Sequence, residues 1–359
     1  MGNASRGGQG RFGFGVALSL LLVAHCATLR PALALVQEKD DDGSKAFDLE
    51  YGQHIVDFNT VVYCPDGREI ESWTCPTCRK NTTKNFQVDQ VIHEFEINIQ
   101  AYTGYSPTLG TFGHIQPSCS RSPSPPWELT TPPPASLLAS FIRDADAFLF
   151  VFRGTKSDDI RNWLVDLSVL ELDLDLPYPN SNGAKVHGGF YRAYAMTNVR
   201  VMVLQSWERL RAKHGADKKV IVTGHSLGGA LATFCALDLK LQHNETDLQL
   251  YTLGSPRVGN EGFFNFFHNW IGDSVRIVHN FDIVPSLPPT FLGYHHIARE
   301  VWSVDTDQKQ ANGLPVLNNI VCDDSGEDEH CSDGACFASI CTSIPDHMVY
   351  LNIELTCKV

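Results

Sequence analysis

The chain has 359 residues, of which 43% are apolar and 19% charged, and 41 aspartates and glutamates outnumber 28 lysines and arginines, for a formal charge of −13. This composition is typical of a globular protein and disfavours a disordered chain, a coiled coil or a polytopic membrane protein. The acidic excess also disfavours a protein that binds the phosphate backbone of nucleic acids. A chain of this length can bury a large core as one α/β domain or as two domains.

The first 34 residues are predicted to be a secretory signal peptide. Two arginines precede an apolar stretch at 12–24, and the small residues at 32–34 form a cleavage pattern, although cleavage after Ala27 would also fit. A membrane anchor is the alternative, but the apolar stretch is shorter than the roughly 20 residues that a bilayer span needs. We therefore expect a secreted, extracellular protein.

Eleven cysteines are informative if the chain is secreted, because disulfides form in that compartment. One lies in the predicted signal, and the even number that remains suggests disulfides. Cys75 and Cys78 also have the spacing of a zinc-binding pair, but no second pair of ligands follows, so zinc is the weaker interpretation. Cys235 lies among small apolar residues and is expected to be a buried free thiol. Asn81 and Asn244 begin glycosylation sequons.

The hydrophobic pattern predicts a single α/β domain over residues 35–359. Short, continuously apolar runs predict buried strands, and the stretches between them predict helices. The predicted elements are a helix at 47–63, a strand at 147–152, a helix at 190–213 and strands at 220–223, 248–253 and 275–278. Helices between such strands imply right-handed crossovers and a mostly parallel sheet. A Pro/Ser-rich stretch at 117–134 cannot be regular structure, because proline lacks an N–H donor and fixes φ.

The segment GHSLG at 224–228 matches the G-x-S-x-G nucleophile elbow. It directly follows the predicted strand at 220–223 and begins a helix, which is the context that the motif requires. A turn this tight brings strand and helix together, so side chains at positions 224 and 228 would collide. The bare pattern is weakly specific, and a glycine-rich structural turn is the alternative. The strand–turn–helix context favours Ser226 as a nucleophile.

A serine nucleophile needs a base that is oriented by an acid, and on this fold they follow the serine in the order Asp or Glu, then His. Asp282 lies just past a predicted strand end, although a turn or capping carboxylate is equally compatible with the local sequence. The histidines available for the base are His279, His295, His296, His330 and His347. His347 has the late position expected of a base, whereas His295 and His296 are expected to make structural hydrogen bonds.

The oxyanion of a tetrahedral intermediate needs hydrogen-bond donors. Leu227, the residue after the nucleophile, would supply one backbone N–H. A second donor is expected in the loop 153–155, here called the oxyanion loop, where Thr155 offers its N–H and its hydroxyl. An ordinary turn residue is the alternative interpretation of Thr155.

A short amphipathic helix is predicted directly after the oxyanion loop, at 158–167. Its residues Ile160, Trp163 and Leu164 share one apolar face. A helix that packs on the core is the more common meaning of such a stripe. Its position beside the oxyanion loop favours a movable lid that covers the site in water and turns outward on a lipid surface.

Seven segments together closely resemble the fungal-type triacylglycerol lipases, lipase class 3, a branch of the α/β-hydrolases. In chain order they are FRGT, IRNWLVDL, VHGGFYRAY, GHSLGGALAT, GSPRVGN, NFDIVPSLPP and PDHMVYL, and the resemblance extends from about residue 47 to 357. It implies an α/β-hydrolase fold, with a mostly parallel central sheet, helices on both faces and an amphipathic lid helix at 158–166. It also selects the catalytic triad Ser226, Asp282 and His347.

The resemblance further implies oxyanion donors at Thr155 and Leu227, and disulfides Cys64–Cys357 and Cys75–Cys78. It implies hydrolysis of acylglycerol esters at a lipid–water interface through an acyl-enzyme, with no metal or organic cofactor. A phospholipase A1 or a feruloyl or cutin-type esterase would share the triad. A non-catalytic lipid-binding protein is the alternative from another class.

Two stretches depart from the family pattern. The Pro/Ser-rich stretch at 117–134 and the acidic segment 322–341, which contains four cysteines, look inserted. Two disulfides in the acidic segment would clamp a loop near the catalytic rim, and a solvated surface loop is the alternative. These insertions bear on substrate preference more than on catalysis. Cys119 has no evident partner.

Overall fold

The computed structural model describes residues 47–94, 98–109, 146–156, 160–161, 163–164, 172–336 and 341–358. These residues belong to one compact unit, Phe47–Val359. The predicted signal peptide, the Pro/Ser-rich stretch with Cys119 and much of the predicted lid lie outside the described residues. Within the described part of the chain, no helix combines the length and the apolarity that a bilayer crossing requires.

Twelve strands are present among the described residues. They are β1 (Gln87–Glu94), β2 (Ile99–Ser106), β3 (Ala147–Phe152), β4 (Leu172–Asp175), β5 (Lys185–His187), β6 (Lys219–His225), β7 (Leu248–Leu253), β8 (Ser274–His279), β9 (Glu300–Lys309), β10 (Pro315–Val321), β11 (Val349–Tyr350) and β12 (Ile353–Glu354). Eight of them form the central sheet in the order β1-β2-β3-β6-β7-β8-β9-β10. The strands β3, β6, β7, β8 and β9 are parallel, and β1, β2 and β10 pair antiparallel at the edges. The predicted mostly parallel sheet is confirmed.

Helices cover both faces of the sheet. They are α1 (Leu49–Val61), α2 (Gly67–Glu71), α3 (Gly188–Ala195), α4 (Asn198–His214), α5 (Leu227–His243), α6 (Glu261–Trp270), α7 (Ser332–Ala335) and α8 (Ile344–His347), with 3-10 turns at Thr77–Arg79, Val284–Ser286 and Thr290–Leu292. Alternate side chains of β3 enter two separate cores. Phe148 and Phe150 pack with apolar side chains of α3 to α6, whereas Leu149 and Val151 pack with those of α1. This alternation follows from the two-residue period of a strand and explains why β3 is apolar throughout.

The helix predicted at 190–213 is two helices, so the prediction of one continuous helix was wrong. The first, α3, ends with Met196 as its C-cap, and Thr197 has an extended backbone whose hydroxyl accepts a hydrogen bond from Val199 N–H at the start of α4. Threonine competes for backbone donors in this way and therefore favours a helix start over a helix interior.

Four disulfides join eight of the nine described cysteines. The pairs that the resemblance implied, Cys64–Cys357 and Cys75–Cys78, are both present, and the acidic segment contains Cys322–Cys331 and Cys336–Cys341. The zinc interpretation of the CxxC pair is therefore wrong, because the two sulfurs are bonded to each other. Cys235 is a buried free thiol, as predicted.

Candidate active site

Ser226 lies in the turn between β6 and α5 with φ 57° and ψ −130°. A positive φ is strained for a residue with a side chain and persists only where the surroundings impose it. The backbones around Ser226 lie too close together for a side chain at either flanking glycine. A Cβ at Gly224 would lie 2.2 Å from the carbonyl oxygen of residue 228, and a Cβ at Gly228 would lie 2.2 Å from that of Phe152. The crowding inferred from the sequence is present, and it extends to the neighbouring strand β3.

Asp282 and His347 lie in contact at the carboxyl edge of the sheet. Asp282 follows β8, and His347 is the last residue of α8. His347 Nδ1 lies 2.8 Å from Asp282 Oδ2, and both side chains are completely buried. Because a carboxylate only accepts hydrogen bonds, this contact places the ring proton on Nδ1 and leaves Nε2 as an acceptor.

The other carboxylate contacts hold Asp282 in place. Its Oδ1 accepts a hydrogen bond from Val284 N–H at 2.9 Å, and the hydroxyl of Tyr350 donates to Oδ2. Burial and the charge of Asp282 raise the pKa of Tyr350 well above its usual range, so the phenol stays protonated and remains a donor. Tyr350 belongs to the segment PDHMVYL, but sequence reasoning assigned it no role, since nothing local indicates that its hydroxyl reaches a carboxylate 68 positions away.

Ser226 Oγ and His347 Nε2 are both buried, and neither has a hydrogen-bond partner among the described residues. Buried polar atoms are rarely left without a hydrogen bond, so the unpaired state of these two atoms calls for an explanation. The His347 ring lies 4.3 Å, centroid to centroid, from the ring of His225, the residue directly before the serine. The structure therefore brings His347, the predicted base, close to the turn that bears Ser226, without a hydrogen bond between the two side chains.

The oxyanion loop passes next to Ser226. A Cβ at Gly154 would lie 2.6 Å from Cβ of Ser226, so a larger residue could not occupy that position. Thr155, the next residue, is half-buried. Leu227 is the first residue of α5, where a helix has backbone N–H groups without partners in the helix. Of the two predicted oxyanion donors, Leu227 thus directly follows Ser226, and Thr155 directly follows Gly154, whose backbone lies against Ser226.

Four residues of the predicted lid, 160, 161, 163 and 164, fall within the described part of the chain. Ile160 and Leu164 are buried against Val284, and Trp163 packs against the same cluster. The backbone is helical at 160–161 and 163–164. Other members of the cluster are Ile283, Leu287 and Ile344. The apolar stripe thus covers residues 283–287, here called the rim segment, which directly follows Asp282.

The acidic segment reaches the rim segment through Arg257. Glu327 accepts two hydrogen bonds from this guanidinium, at 2.8 and 2.7 Å, and Asp333 accepts one at 2.7 Å. Arg257 Nη1 donates to the carbonyl oxygens of Ser286 and Pro288. The two disulfides predicted in the acidic segment, Cys322–Cys331 and Cys336–Cys341, are present, and the hydrogen bonds of Arg257 join this segment to residues 286–288. The sequence motif GSPRVGN contains Arg257 but did not indicate these partners.

The histidines that were alternatives to His347 as the base make contacts of a structural kind. His296 Nε2 contacts the carbonyl oxygen of Pro285 and His295 Nδ1 that of His296, as expected. His279 lies between a backbone carbonyl and Asp305. Two described groups bring three potential metal ligands together, but the cysteines in both are disulfide-bonded and offer no thiolate.

A sequence model of the lipase (class 3) family matches residues 149–292, a segment that contains Ser226, Asp282 and the oxyanion loop. The chain is 36% identical over 209 residues to a lipase of Rhizomucor miehei, covering 57% of this chain and 52% of that protein. It is 38% identical over 146 residues to secreted mono- and diacylglycerol lipase 1 of Fusarium solani, covering 41% of each. The matches span about half the length of these curated relatives.

Solved structures match more of the chain. A triacylglycerol lipase whose catalytic centre is formed by a serine protease triad matches with a TM-score of 0.63 and 27% identity, over 88% of this chain and 98% of that one. The propeptide complex of Rhizomucor miehei lipase matches with a TM-score of 0.62 and 28% identity, over 86% and 83%. With the sheet order and the turn around Ser226 described above, these likenesses show that the chain has the α/β-hydrolase fold and that it is similar to lipases of class 3 over the matched residues.

Proposed function

We propose that the protein is a secreted serine hydrolase that cleaves the carboxylic esters of acylglycerols, a triacylglycerol lipase. The observation that carries this proposal is the buried Asp282–His347 hydrogen bond, beside a serine in a strained strand-to-helix turn. His347 Nε2 and Ser226 Oγ, which have no hydrogen-bond partner among the described residues, are the two atoms between which the proton passes in this mechanism.

Each step uses a group of the chain itself. Ser226 Oγ attacks the acyl carbonyl while His347 Nε2 takes the serine proton and then delivers it to the leaving alcohol. Asp282 holds the imidazole in the productive tautomer and stabilises its charged form. The N–H groups of Leu227 and Thr155, with the Thr155 hydroxyl, stabilise the oxyanion. A water activated by His347 then releases the fatty acid from the acyl-enzyme.

The apolar residues of the predicted lid support the proposal of a long-chain lipid substrate. Ile160, Trp163 and Leu164 lie against the rim segment, so their movement would open the site and expose an apolar surface. Such a surface is favoured at a lipid–water interface and costly in water. Four disulfides in the described residues are consistent with an extracellular protein.

Two experiments test this proposal. An organophosphate should label the protein, Ser226→Ala should abolish labelling, and Ser206→Ala, which removes a buried hydroxyl bonded to Thr103 and Asp89, should not. Absence of labelling would instead support a non-catalytic lipid-binding protein. Rates on emulsified triolein, phosphatidylcholine and methyl ferulate then separate a triacylglycerol lipase from a phospholipase A1 and from a feruloyl-type esterase.

A further inference from the structure

His225, the residue directly before Ser226, connects two parts of the site that are distant in sequence. Its side chain is buried, with 1% of its surface exposed. Nε2 lies 2.8 Å from the carbonyl oxygen of His347, and Nδ1 lies 2.5 Å from the hydroxyl oxygen of Tyr63. The same hydroxyl oxygen accepts a hydrogen bond from Gly154 N–H, in the oxyanion loop, at 3.2 Å.

The chemistry of these partners fixes where each proton lies. A carbonyl oxygen only accepts, so His225 Nε2 carries a proton and donates it to His347. Burial lowers the pKa of His225 well below its usual range, and the neighbouring His347 lowers it further, so the ring is neutral. Nδ1 is then an acceptor, and Tyr63 must be its donor. One neutral tautomer therefore satisfies both contacts. Hydrogen bonds then run in one direction from Gly154 N–H to Tyr63, from Tyr63 to His225, and from His225 to the carbonyl oxygen of His347.

We propose that His225 is a positioning residue, which holds the segment bearing the base and the oxyanion loop at their working distances from Ser226. This inference rests on the proposed function. The backbone carbonyl held by Nε2 belongs to His347 itself, so a shift of this contact moves the imidazole directly. The hydroxyl held by Nδ1 supports the N–H of Gly154, which precedes the oxyanion donor Thr155. Misplacing reacting groups by about 1 Å can lower a rate about 100-fold.

Two substitutions separate the two contacts. In His225→Gln the longer amide can place an N–H near the Nε2 position and retain the contact with His347. In His225→Asn the shorter amide can place an acceptor near Nδ1 and retain the contact with Tyr63. His225→Leu removes both contacts, and Tyr63→Phe removes only the hydroxyl. Tyr102→Phe is the matched control, because Tyr102 is a buried tyrosine whose hydroxyl donates to the carbonyl oxygen of Phe58.

The measurement is kcat and KM on a soluble short-chain ester, with the melting temperature of each variant. We expect His225→Leu to lower kcat about 100-fold with little change in KM, since positioning acts on the transition state. His225→Gln and His225→Asn should each recover part of this loss. Tyr63→Phe should lower kcat about tenfold in the wild-type background and clearly less in His225→Leu, because the contact between Tyr63 and His225 is already absent there and only the contact with Gly154 N–H remains to be lost. Tyr102→Phe should lower the melting temperature alone.

Two results would overturn the inference. One is a folded His225→Leu variant with wild-type kcat. The other is a set of variants in which kcat follows the melting temperature and the effects of Tyr63→Phe and His225→Leu multiply independently. Failure of the proposed function is a different outcome, because the wild-type protein would then lack ester hydrolysis and organophosphate labelling altogether.

Discussion

Asp282 Oδ2 lies 2.8 Å from His347 Nδ1, and no part of either side chain is exposed to solvent. Two groups 65 positions apart thus form a dry, directed hydrogen bond, in which the carboxylate accepts and the imidazole donates. The proposed mechanism requires this tautomer.

Asp282→Asn should therefore lower kcat on a soluble ester by about 10³- to 10⁴-fold, because an amide N–H facing Nδ1 favours the unproductive tautomer. KM should change little. Asp305→Asn is the control, since Asp305 forms a half-exposed contact with His279. A folded Asp282→Asn variant within tenfold of the wild-type kcat would contradict the assigned role of this carboxylate.

Tyr350→Phe should lower kcat about tenfold and leave substrate binding unchanged. The hydroxyl donates to the same carboxylate oxygen that His347 contacts, so its loss lets Asp282 rotate and leaves a buried acceptor less well satisfied. Steady-state kinetics beside thermal unfolding distinguish this effect from general destabilisation. If kcat is unchanged while stability falls, Tyr350 is a packing residue only.

Replacing Ile160 and Leu164 by serine should lower the ratio of activity on emulsified triolein to activity on a soluble ester by about tenfold or more. Each apolar side chain contributes about 1.5–3 kcal/mol when it is removed from water, either against the rim segment or at a lipid surface. The soluble ester needs no interface, so its hydrolysis should persist or rise as closure weakens. Val201→Ser, at an exposed position of α4, should leave the ratio unchanged. An unaltered ratio in the double variant would argue against a lid.

Glu327→Gln should destabilise the fold by about 2–3 kcal/mol at neutral pH, because Arg257 is buried and loses a bidentate partner. Burial alone would raise the pKa of Glu327, but the hydrogen bonds and charge of Arg257 outweigh it and hold the pKa below the usual 4.5. The ionised carboxylate therefore stabilises the fold above about pH 4.5, and this stabilisation is lost as the pH falls through the lower, folded-state pKa.

Denaturant unfolding at pH 7 and pH 3 checks this prediction, with Asp324→Asn as the control, since Asp324 is exposed and pairs with the surface residue Arg299. The difference between wild type and Glu327→Gln should shrink at the lower pH. An equal difference at both pH values would mean that the charge of Glu327 does not contribute.

Serine at both Cys64 and Cys357 should lower the free energy of unfolding by about 5 kcal/mol, because this disulfide closes a long loop in the unfolded chain. Its cysteines are 293 positions apart, whereas those of Cys336–Cys341 are 5 apart. The corresponding change at Cys336 and Cys341 should cost only about 2 kcal/mol by the same argument. Unfolding of both variants under oxidising conditions gives the comparison, and a reversed order would contradict it.

The sequence by itself determined the features that depend on residues adjacent along the chain. The apolar run at 147–152 predicted a strand with both faces covered, because every side chain of such a strand meets a core. The glycines around Ser226 predicted a crowded turn, because strand and helix meet there within a few residues. The break at Thr197 was missed, since the stretch on both sides has helical character and one side-chain cap decided the outcome.

Only the tertiary structure decided which distant groups meet. His225 contacts Tyr63 across 162 positions and His347 across 122, and Arg257 contacts Glu327 across 70. The direction of each hydrogen bond depends on packing between separate elements, and no local period encodes it. The sequence thus indicated the chemistry of the site, and the folded chain selected the partners that hold its groups in place.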